Sequence, residues 1–219
     1  NFDGTNGTRV RTNDATVVAT LSGATEFTFV AHGYPTKTSG QIFYAANQLS
    51  VQINASGKVI ASIWNNGAVS YVNLTGTTIL DLDGLQPLNV VVTFNTIKDS
   101  NNAMLYVNGN VEDVSADGWT KNDTINTTTP SYFYIGALDL VTNPYGGFLE
   151  EVLLYNKEYH MVPNAGEYIL NTSHYPDLTD NNSNYYHARL FVFDYHNITG
   201  RGRTDVGKSH LASWKVTGV

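Results

Sequence analysis

Residues 103–114 read Ala-Met-Leu-Tyr-Val-Asn-Gly-Asn-Val-Glu-Asp-Val, and this stretch does most to decide the fold. Two runs of β-favouring residues, 103–107 and 111–114, flank the dipeptide Asn108-Gly109. Asn-Gly accepts the positive φ angles of a type I′ turn, which matches the twist of two antiparallel strands. The stretch therefore predicts a β-hairpin.

The residues before this hairpin continue the pattern of short strands. Leu88–Phe94 contains three consecutive valines and is short and β-branched, which indicates a central strand buried on both faces. Further upstream, Leu49–Ile53, Lys58–Ile63 and Ala68–Leu74 are separated by turn-forming clusters of Asn and Gly. These three runs predict a meander.

More strands lie at both ends of this region. Glu26–Ala31 alternates apolar and polar residues, and Tyr132–Gly136 and Phe148–Tyr155 are rich in β-favouring residues. Only Asn164–Leu170, after Pro163, has a helical pattern. Many short strands with one short helix predict an all-β fold, an antiparallel two-sheet jelly-roll β-sandwich.

The chain of 219 residues is long enough for one large sandwich with additions. We expect the sandwich to occupy residues 1–171. Residues 172–219 are expected to form a C-terminal extension with two β-strands, Arg189–His196 and Ser213–Val216, which packs on the sandwich or on a partner.

Composition excludes several classes of protein. The absence of cysteine excludes a disulfide framework and a thiolate metal site. The net charge of −7 argues against nucleic acid as a partner, and no apolar stretch approaches the length of a membrane span. A surface rich in Asn, Thr, Ser and Gly favours an extracellular, cell-surface or virion protein.

Four motifs in order along the chain resemble the laminin-G-like, concanavalin A-like jelly-roll domains of the lectin/glucanase superfamily. They are Phe2–Asn6, the valine-rich Leu88–Phe94, the hairpin sequence Leu105–Asn110, and Phe148–Asn156. The resemblance covers residues 1–171. It implies a non-catalytic module that binds a glycan or a protein partner at a surface, with a short helix after the last core strand.

Two neighbouring carboxylates invite comparison with the glycan hydrolases that share this architecture. Glu150 and Glu151 are consecutive strand residues, so we expect their side chains to point to opposite faces. A retaining glycosidase needs two carboxyl groups about 5 Å apart across one bond. We therefore expect no enzyme activity, and a glycan-active hydrolase is a distant alternative.

The resemblance also implies a metal site, since such domains sometimes bind Ca²⁺. No cofactor is required, but Asp3, Glu150 and Glu151 are candidate Ca²⁺ ligands. In a jelly roll the first and last core strands commonly meet. We therefore expect Phe148–Tyr155 to pair with the N-terminal strand and Asp3 to lie near one of the two glutamates.

Aromatic residues next to turns are candidate ligand-binding residues, because sugar rings stack on exposed aromatic faces. They are Tyr34, Trp119 and Tyr145. The alternative is that each ring closes an end of the sandwich, since aromatic side chains bury large apolar areas. Both interpretations remain open from the sequence.

The predicted extension differs in charge from the rest of the chain. Residues 189–219 carry five basic and two acidic residues, a net charge of +3, which leaves −10 for residues 1–188. Arg201, Arg203 and Lys208 are therefore candidate partner-binding residues, suited to steering the extension toward a neighbouring copy or a virion neighbour. The corresponding alternative function is a structural virion protein, a capsid decoration or fibre domain, without ligand binding.

Overall fold

A computed structural model describes most of residues 2–155 and four short strands beyond them. The described ranges are 2–4, 9–66, 71–98, 101–114, 123–138, 142–155, 158, 161–164, 167–170, 189–194 and 215–217. For residues 71, 114, 161–164, 167–170, 189–194 and 215–217 only the backbone is described.

Short strands dominate the described residues. In chain order they are β1 (Phe2–Asp3), β2 (Arg9–Thr12), β3 (Glu26–Pro35), β4 (Gln41–Ala45), β5 (Leu49–Ile53), β6 (Val59–Trp64), β7 (Tyr71–Thr75), β8 (Leu88–Asn95), β9 (Ala103–Val107), β10 (Asn110–Val114), β11 (Phe133–Ile135), β12 (Gly146–Tyr155), β13 (Met161–Asn164), β14 (Glu167–Leu170), β15 (Arg189–Asp194) and β16 (Lys215–Thr217). One helix, α1 (Ala15–Val18), follows β2.

Fourteen of the described strands form two antiparallel seven-stranded sheets, and β13 and β14 form a separate two-stranded sheet. Sheet A has the order β1-β12-β3-β8-β9-β10, and β15 pairs with β12 beside β1. Sheet B has the order β16-β2-β11-β4-β5-β6-β7. This arrangement confirms the predicted two-sheet jelly-roll sandwich, and the meander β5-β6-β7 lies at one edge of sheet B.

The stretch that led to the fold prediction has the expected conformation. Asn108 and Gly109 have φ angles of 48° and 78°, both positive as a type I′ turn requires, and they join β9 to β10. The valine-rich strand β8 lies between β3 and β9. Its core-facing residues Val90 and Val92 are buried, and so is Val91, which faces outward. The hairpin and the central strand are therefore confirmed.

Phenylalanine rings connect the inner faces of the two sheets. Phe29 of sheet A lies 5.3 Å from Phe43 of sheet B, measured between ring centroids, and Phe43 lies 5.4 Å from Phe133. Phe27 and Phe94 stack at 5.2 Å within sheet A. Burial of each such ring stabilises the fold by about 1.5–3 kcal/mol, so this cluster holds the sandwich together.

The helix prediction for Asn164–Leu170 is wrong. The structure forms a hairpin there, in which β13 pairs with β14 from Met161↔Leu170 to Asn164↔Glu167. The helix α1 lies elsewhere, and the Asp14 carboxylate caps it by accepting hydrogen bonds from the Thr16 and Val17 N–H groups. This four-residue helix is too short to cross a membrane, and no other helix is described.

The C-terminal strands add one edge strand to each sheet. β15 pairs with β12 from Glu151↔Asp194 to Tyr155↔Arg189, and β16 pairs with β2 from Lys215↔Arg11 to Thr217↔Arg9. The predicted boundary at residue 171 stays a prediction, because residues 171–188 lie outside the described part of the chain.

Candidate functional site

A β-bulge in β12 places two carboxylates on the outer face of sheet A. Leu149 pairs with Gly33 and Glu151 pairs with His32, so Glu150 is an extra residue in the strand. Residues directly opposite each other share a face, which puts Glu151 on the side of His32. The prediction that Glu150 and Glu151 point to opposite faces is therefore wrong, because the bulge breaks the alternation.

The residues around this bulge form a small polar group, here called the bulge cluster: His32, Tyr34, Glu150 and Glu151. His32 Nδ1 lies 2.7 Å from Glu150 Oε2, and each of these side chains is 28% exposed. The ring centroids of His32 and Tyr34 are 5.6 Å apart. The Glu150 carboxylate is thus already hydrogen-bonded to a histidine.

The predicted pairing of the N-terminal strand with the last core strand is confirmed. Phe2 and Asp3 pair with Gly147 and Gly146, which places Asp3 opposite a residue four positions before Glu150. That offset corresponds to about 13 Å along the strand. Among the described residues no group of three or more His, Asp and Glu side chains could hold a metal ion. A Ca²⁺ site at Asp3, Glu150 and Glu151 stays a prediction.

Outside the bulge cluster, much of the outer face of sheet A is buried, and Val111 at the β10 edge is exposed. The buried outward-facing residues of this face are Thr28, Val91, Thr93, Tyr106, Leu153 and Tyr155. The chain beyond β12 is tied to this face at Glu158, whose carboxylate accepts hydrogen bonds from Asn95 Nδ2 and Lys98 Nζ. The Glu158 N–H donates to Glu26, and β14 contacts β10. Most of this face therefore contributes to packing.

The three aromatic residues predicted to bind a ligand differ in their exposure and in whether the structure describes them. Tyr34 is half-buried within the bulge cluster. Tyr145 is fully buried with its ring edge-on to Phe2 at 5.9 Å, and burial raises the pKa of its hydroxyl. Tyr145 therefore closes the sandwich and has no free face for a sugar. Trp119 lies outside the described residues, as do Arg201, Arg203 and Lys208.

Sheet B carries an aligned row of outward-facing side chains, here called the outer row. Directly paired residues from six neighbouring strands form it, in the order Arg11, Tyr134, Tyr44, Ser50, Ser62 and Asn73. The strand neighbours of these residues, such as Phe43 and Ala45 around Tyr44, are buried in the core. Alternation along each strand therefore points the whole row away from the core.

Aromatic and polar contacts fix the geometry of the outer row. The Arg11 guanidinium carbon lies 4.6 Å from the ring centroid of Tyr132, and the rings of Tyr132 and Tyr134 are 5.7 Å apart. At the other end, Ser62 Oγ donates to Asn73 Oδ1 at 2.5 Å. Tyr44, Tyr132, Tyr134 and Arg11 all remain half-exposed. One end of the row is aromatic and basic, whereas toward the other end Ser50 and Ser62 are buried and only Asn73 is exposed.

The two sheets differ sharply in charge. The seven strands of sheet B contain Arg9, Arg11 and Lys215 and no acidic residue, and Lys215 pairs directly with Arg11. The strands of sheet A contain one basic residue, Arg189, and seven acidic ones: Asp3, Glu26, Glu112, Asp113, Glu150, Glu151 and Asp194. A chain with a net charge of −7 thus has a locally basic sheet.

Sequence reasoning did not identify the outer row. Each member could be assigned an outward direction from its own strand, as with Tyr134 between Phe133 and Ile135. The alignment of Arg11, Tyr134 and Tyr44 depends on pairing between strands that are far apart in the chain. No local pattern specifies that register.

Comparisons with known proteins agree with the observed sandwich. A family model for the concanavalin A-like lectin/glucanases superfamily matches residues 3–160. No curated protein matches the chain in sequence.

Solved structures with a similar fold include the native heptameric SAP-like pentraxin from Limulus polyphemus. It has a TM-score of 0.51 and 15% identity, over 73% of this chain and 76% of that chain. Another is the CBM40 module of the Ruminococcus gnavus IT-sialidase, with a TM-score of 0.50 and 19% identity, over 67% of this chain and 82% of that one. The same module bound to α2,3-sialyllactose has a TM-score of 0.50 and 17% identity, over 65% of this chain and 81% of that chain.

Proposed function

The chain belongs to the concanavalin A-like lectin/glucanases superfamily, and from this membership we propose that it is a non-catalytic recognition module that binds glycans through the outer row of sheet B. The observation that carries the proposal is the alignment of Tyr44, Tyr134 and Arg11 on one solvent-facing surface. Aromatic rings beside hydrogen-bonding side chains suit a ligand with both apolar and polar faces.

The chemistry of the outer row matches that of a sugar chain. The C–H faces of a sugar ring pack on tyrosine rings, while its hydroxyl groups need hydrogen-bonding partners, which the Arg11 guanidinium and the exposed Asn73 amide offer along the row. Six strands spaced about 4.8 Å apart make the row about 24 Å long. A short oligosaccharide fits along such a surface without entering a pocket.

A binding role is favoured over hydrolysis by the positions of the carboxylates. Glycoside hydrolysis requires two carboxyl groups on either side of one glycosidic bond. The strands of sheet B contain no acidic residue, so the outer row has no such pair from its own sheet. On sheet A, Glu150 of the bulge cluster is hydrogen-bonded to His32. The hydrolase alternative would have to use that cluster, and a test of hydrolysis with Glu150→Gln would reveal it.

A structurally similar module has been solved with a glycan. It is the CBM40 module of Ruminococcus gnavus IT-sialidase, bound to α2,3-sialyllactose. At 17% identity this likeness concerns the fold, and glycan binding by the present chain is our proposal. We further propose that the module acts outside the cell, at a cell or virion surface.

A glycan array tests the proposal with matched variants. We expect the wild-type protein to bind a subset of glycans, and Tyr44→Ala with Tyr134→Ala to abolish that binding. The control is Tyr34→Ala, which removes a half-exposed tyrosine from the bulge cluster of sheet A. Binding that survives loss of both sheet B tyrosines but not of Tyr34 would move the site to the bulge cluster.

Assembly is a second candidate function, supported by the C-terminal strands. β15 and β16 are edge strands of different sheets, and both follow long connections. Edge strands of this kind can pair in the same chain or in a neighbouring copy. We propose that the extension, with Arg201, Arg203 and Lys208, mediates contact between copies.

Truncation after Asn171 tests the assembly role. We expect the shortened chain to remain folded and to lose self-association in light scattering. Arg201→Glu with Arg203→Glu, or high salt, is expected to mimic that loss. Unfolding of the truncated chain, or a monomeric full-length protein, would show that the extension belongs to the sandwich alone.

A further inference from the structure

The basic end of the outer row points to a particular class of glycan. We propose that the ligand is anionic and that Arg11 binds a carboxylate or sulfate group on it. This inference rests on the proposed function, because it places the anionic group on a glycan held by Tyr44 and Tyr134. The observations that support it are the contact between Arg11 and Tyr132 and the absence of acidic residues from the strands of sheet B.

Arg11 has the geometry of an anion-binding residue. Its guanidinium carbon lies 4.6 Å from the Tyr132 ring centroid, and the side chain is half-exposed at the end of the tyrosine row. An arginine held over an aromatic ring keeps its planar fork of N–H donors, which matches the two oxygens of a carboxylate or sulfate. The ring also restricts the side chain, so less conformational freedom is lost on binding.

The nearby acidic residue on the same segment is already engaged. Asp14 follows β2, and its carboxylate accepts the N–H groups of Thr16 and Val17 at 3.0 and 3.2 Å to cap α1. The strands of sheet B add Arg9 and Lys215 to Arg11 and contribute no carboxylate. Arg11 therefore brings its positive charge next to the tyrosines, and the strands of its own sheet contain no carboxylate to neutralise it.

This local charge opposes the charge of the whole chain. A net charge of −7 repels anions at long range, yet charges separated by more than about 8 Å are largely screened at physiological ionic strength. An anionic group in contact with Arg11 thus responds mainly to the basic end of the row. The interaction is short-range, so it specifies the position of one group on the glycan.

Three related probes separate the ligand classes: lactose, 3′-sialyllactose, which adds a carboxylated sugar, and 3′-sulfolactose, which adds a sulfate. They are measured by calorimetry, after an array of neutral and anionic glycans. We expect one of the two anionic probes to bind at least about tenfold more tightly than lactose, the size of one charge-assisted hydrogen-bonded pair. The anionic probe that binds more tightly shows whether the charged group on the ligand is a carboxylate or a sulfate.

Variants of Arg11 test whether that residue makes the difference. Arg11→Gln is expected to remove the preference for the anionic probe over lactose, while Arg11→Lys retains the charge but loses the fork and most of the preference. The matched control is Lys58→Gln, which removes one charge about 20 Å away, beyond β5. Thermal unfolding of each variant verifies the fold.

The possible results distinguish a failure of this inference from a failure of the proposed function. Equal affinity for all three probes, array binding restricted to neutral glycans, or a preference that persists in Arg11→Gln would overturn the inference and leave glycan binding intact. Array binding of no glycan at all would overturn the proposed function and the inference with it.

Discussion

The outer faces of the two sheets have the same strand architecture and opposite character. On sheet A, outward-facing residues such as Val91, Tyr106 and Leu153 are buried, and Glu112 and Glu150 have partners within the chain. On sheet B, the outer row leaves Arg11, Tyr44 and Tyr134 half-exposed. Alternation along a strand therefore identifies an outward residue, while the rest of the chain decides whether that residue meets protein or solvent.

The acidic residues of sheet A illustrate this difference. Glu112 on β10 accepts four hydrogen bonds, from the N–H and hydroxyl groups of Thr77 and Thr78, just after the last strand of sheet B. Asp113 accepts from the Thr75 N–H at 2.6 Å. These carboxylates connect the two sheets at one edge. Glu112 and Asp113 of sheet A thus serve the fold, whereas we assign the charge of Arg11 on sheet B to binding.

The largest expected effect is a loss of stability at Gly147, where β12 pairs with the end of β3 in sheet A. Gly147 has a φ of 122°, and a Cβ there would lie 2.1 Å from the Tyr34 carbonyl oxygen. We expect Gly147→Ala to lower the free energy of unfolding by at least about 3 kcal/mol, because backbone has to move. Chemical denaturation measures it. Gly23→Ala is the control, with positive φ but an open 3.7 Å contact, and is expected to cost about 1 kcal/mol.

The next prediction compares outward apolar residues of the two sheets directly. Leu153 on sheet A is buried, whereas Ile60 on sheet B is half-buried. We expect Leu153→Ala to cost about 2–4 kcal/mol of unfolding free energy and Ile60→Ala about 1 kcal/mol or less. Urea denaturation of both variants measures the difference. Equal costs would mean that the two outer faces are equally covered, which would end the distinction between them.

A third prediction concerns the carboxylate that joins the sheets. Partial burial acts to raise the pKa of Glu112, but hydrogen bonds from Thr77 and Thr78 outweigh it and lower the pKa below 4.5. A lowered folded-state pKa contributes stability above the unfolded value, and this is lost as pH falls through the folded value. We expect Glu112→Gln to cost about 1 kcal/mol at pH 7, discounted for exposure.

Denaturation across the acid range measures this effect. The gap between wild type and Glu112→Gln is expected to close as the pH drops below 4.5. Asp81→Asn, an exposed carboxylate in the same connection between β7 and β8, is the control and is expected to show a smaller gap at pH 7. A gap for Glu112→Gln that is independent of pH would contradict the role assigned to its charge.

The smallest stability effects are expected on the outer row. Arg11→Gln and Tyr44→Ala remove half-exposed groups, so we expect each to change the free energy of unfolding by about 1 kcal/mol or less. Thermal and urea denaturation provide the measurement. A cost as large as that of Leu153→Ala would show that the row stabilises the fold, and its assignment to binding would lose its main support.

Local chemistry made much of the fold predictable. The Asn108-Gly109 turn, the valine-rich β8 and the alternating β3 follow from residues adjacent in the chain, and the family resemblance assembled them into a sandwich. The helix at Asn164–Leu170 was wrong because a segment this short carries too little periodicity to separate a helical turn from a hairpin. The four-residue helix after Asp14 escaped notice for the same reason.

The candidate site was less predictable because it depends on register. A single inserted residue in β12 put Glu150 and Glu151 on one face, and no pattern in the sequence marks that bulge. Tyr145 could be an exposed ring or a buried one from the sequence, and packing against Phe2 buries it. Arg11, Tyr44 and Tyr134 meet only through pairing of β2, β11 and β4, which is a property of the folded sheet.

The central claim is that sheet B, and not sheet A, carries the binding face. Ring-labelled tyrosine NMR tests this in the unmodified protein, with the tightest-binding glycan of the array as titrant. We expect the signals of Tyr44, Tyr132 and Tyr134 to shift with a common affinity, while those of Tyr34 and Tyr106 stay in place. Shifts confined to Tyr34, with the sheet B tyrosines unmoved, would contradict the account.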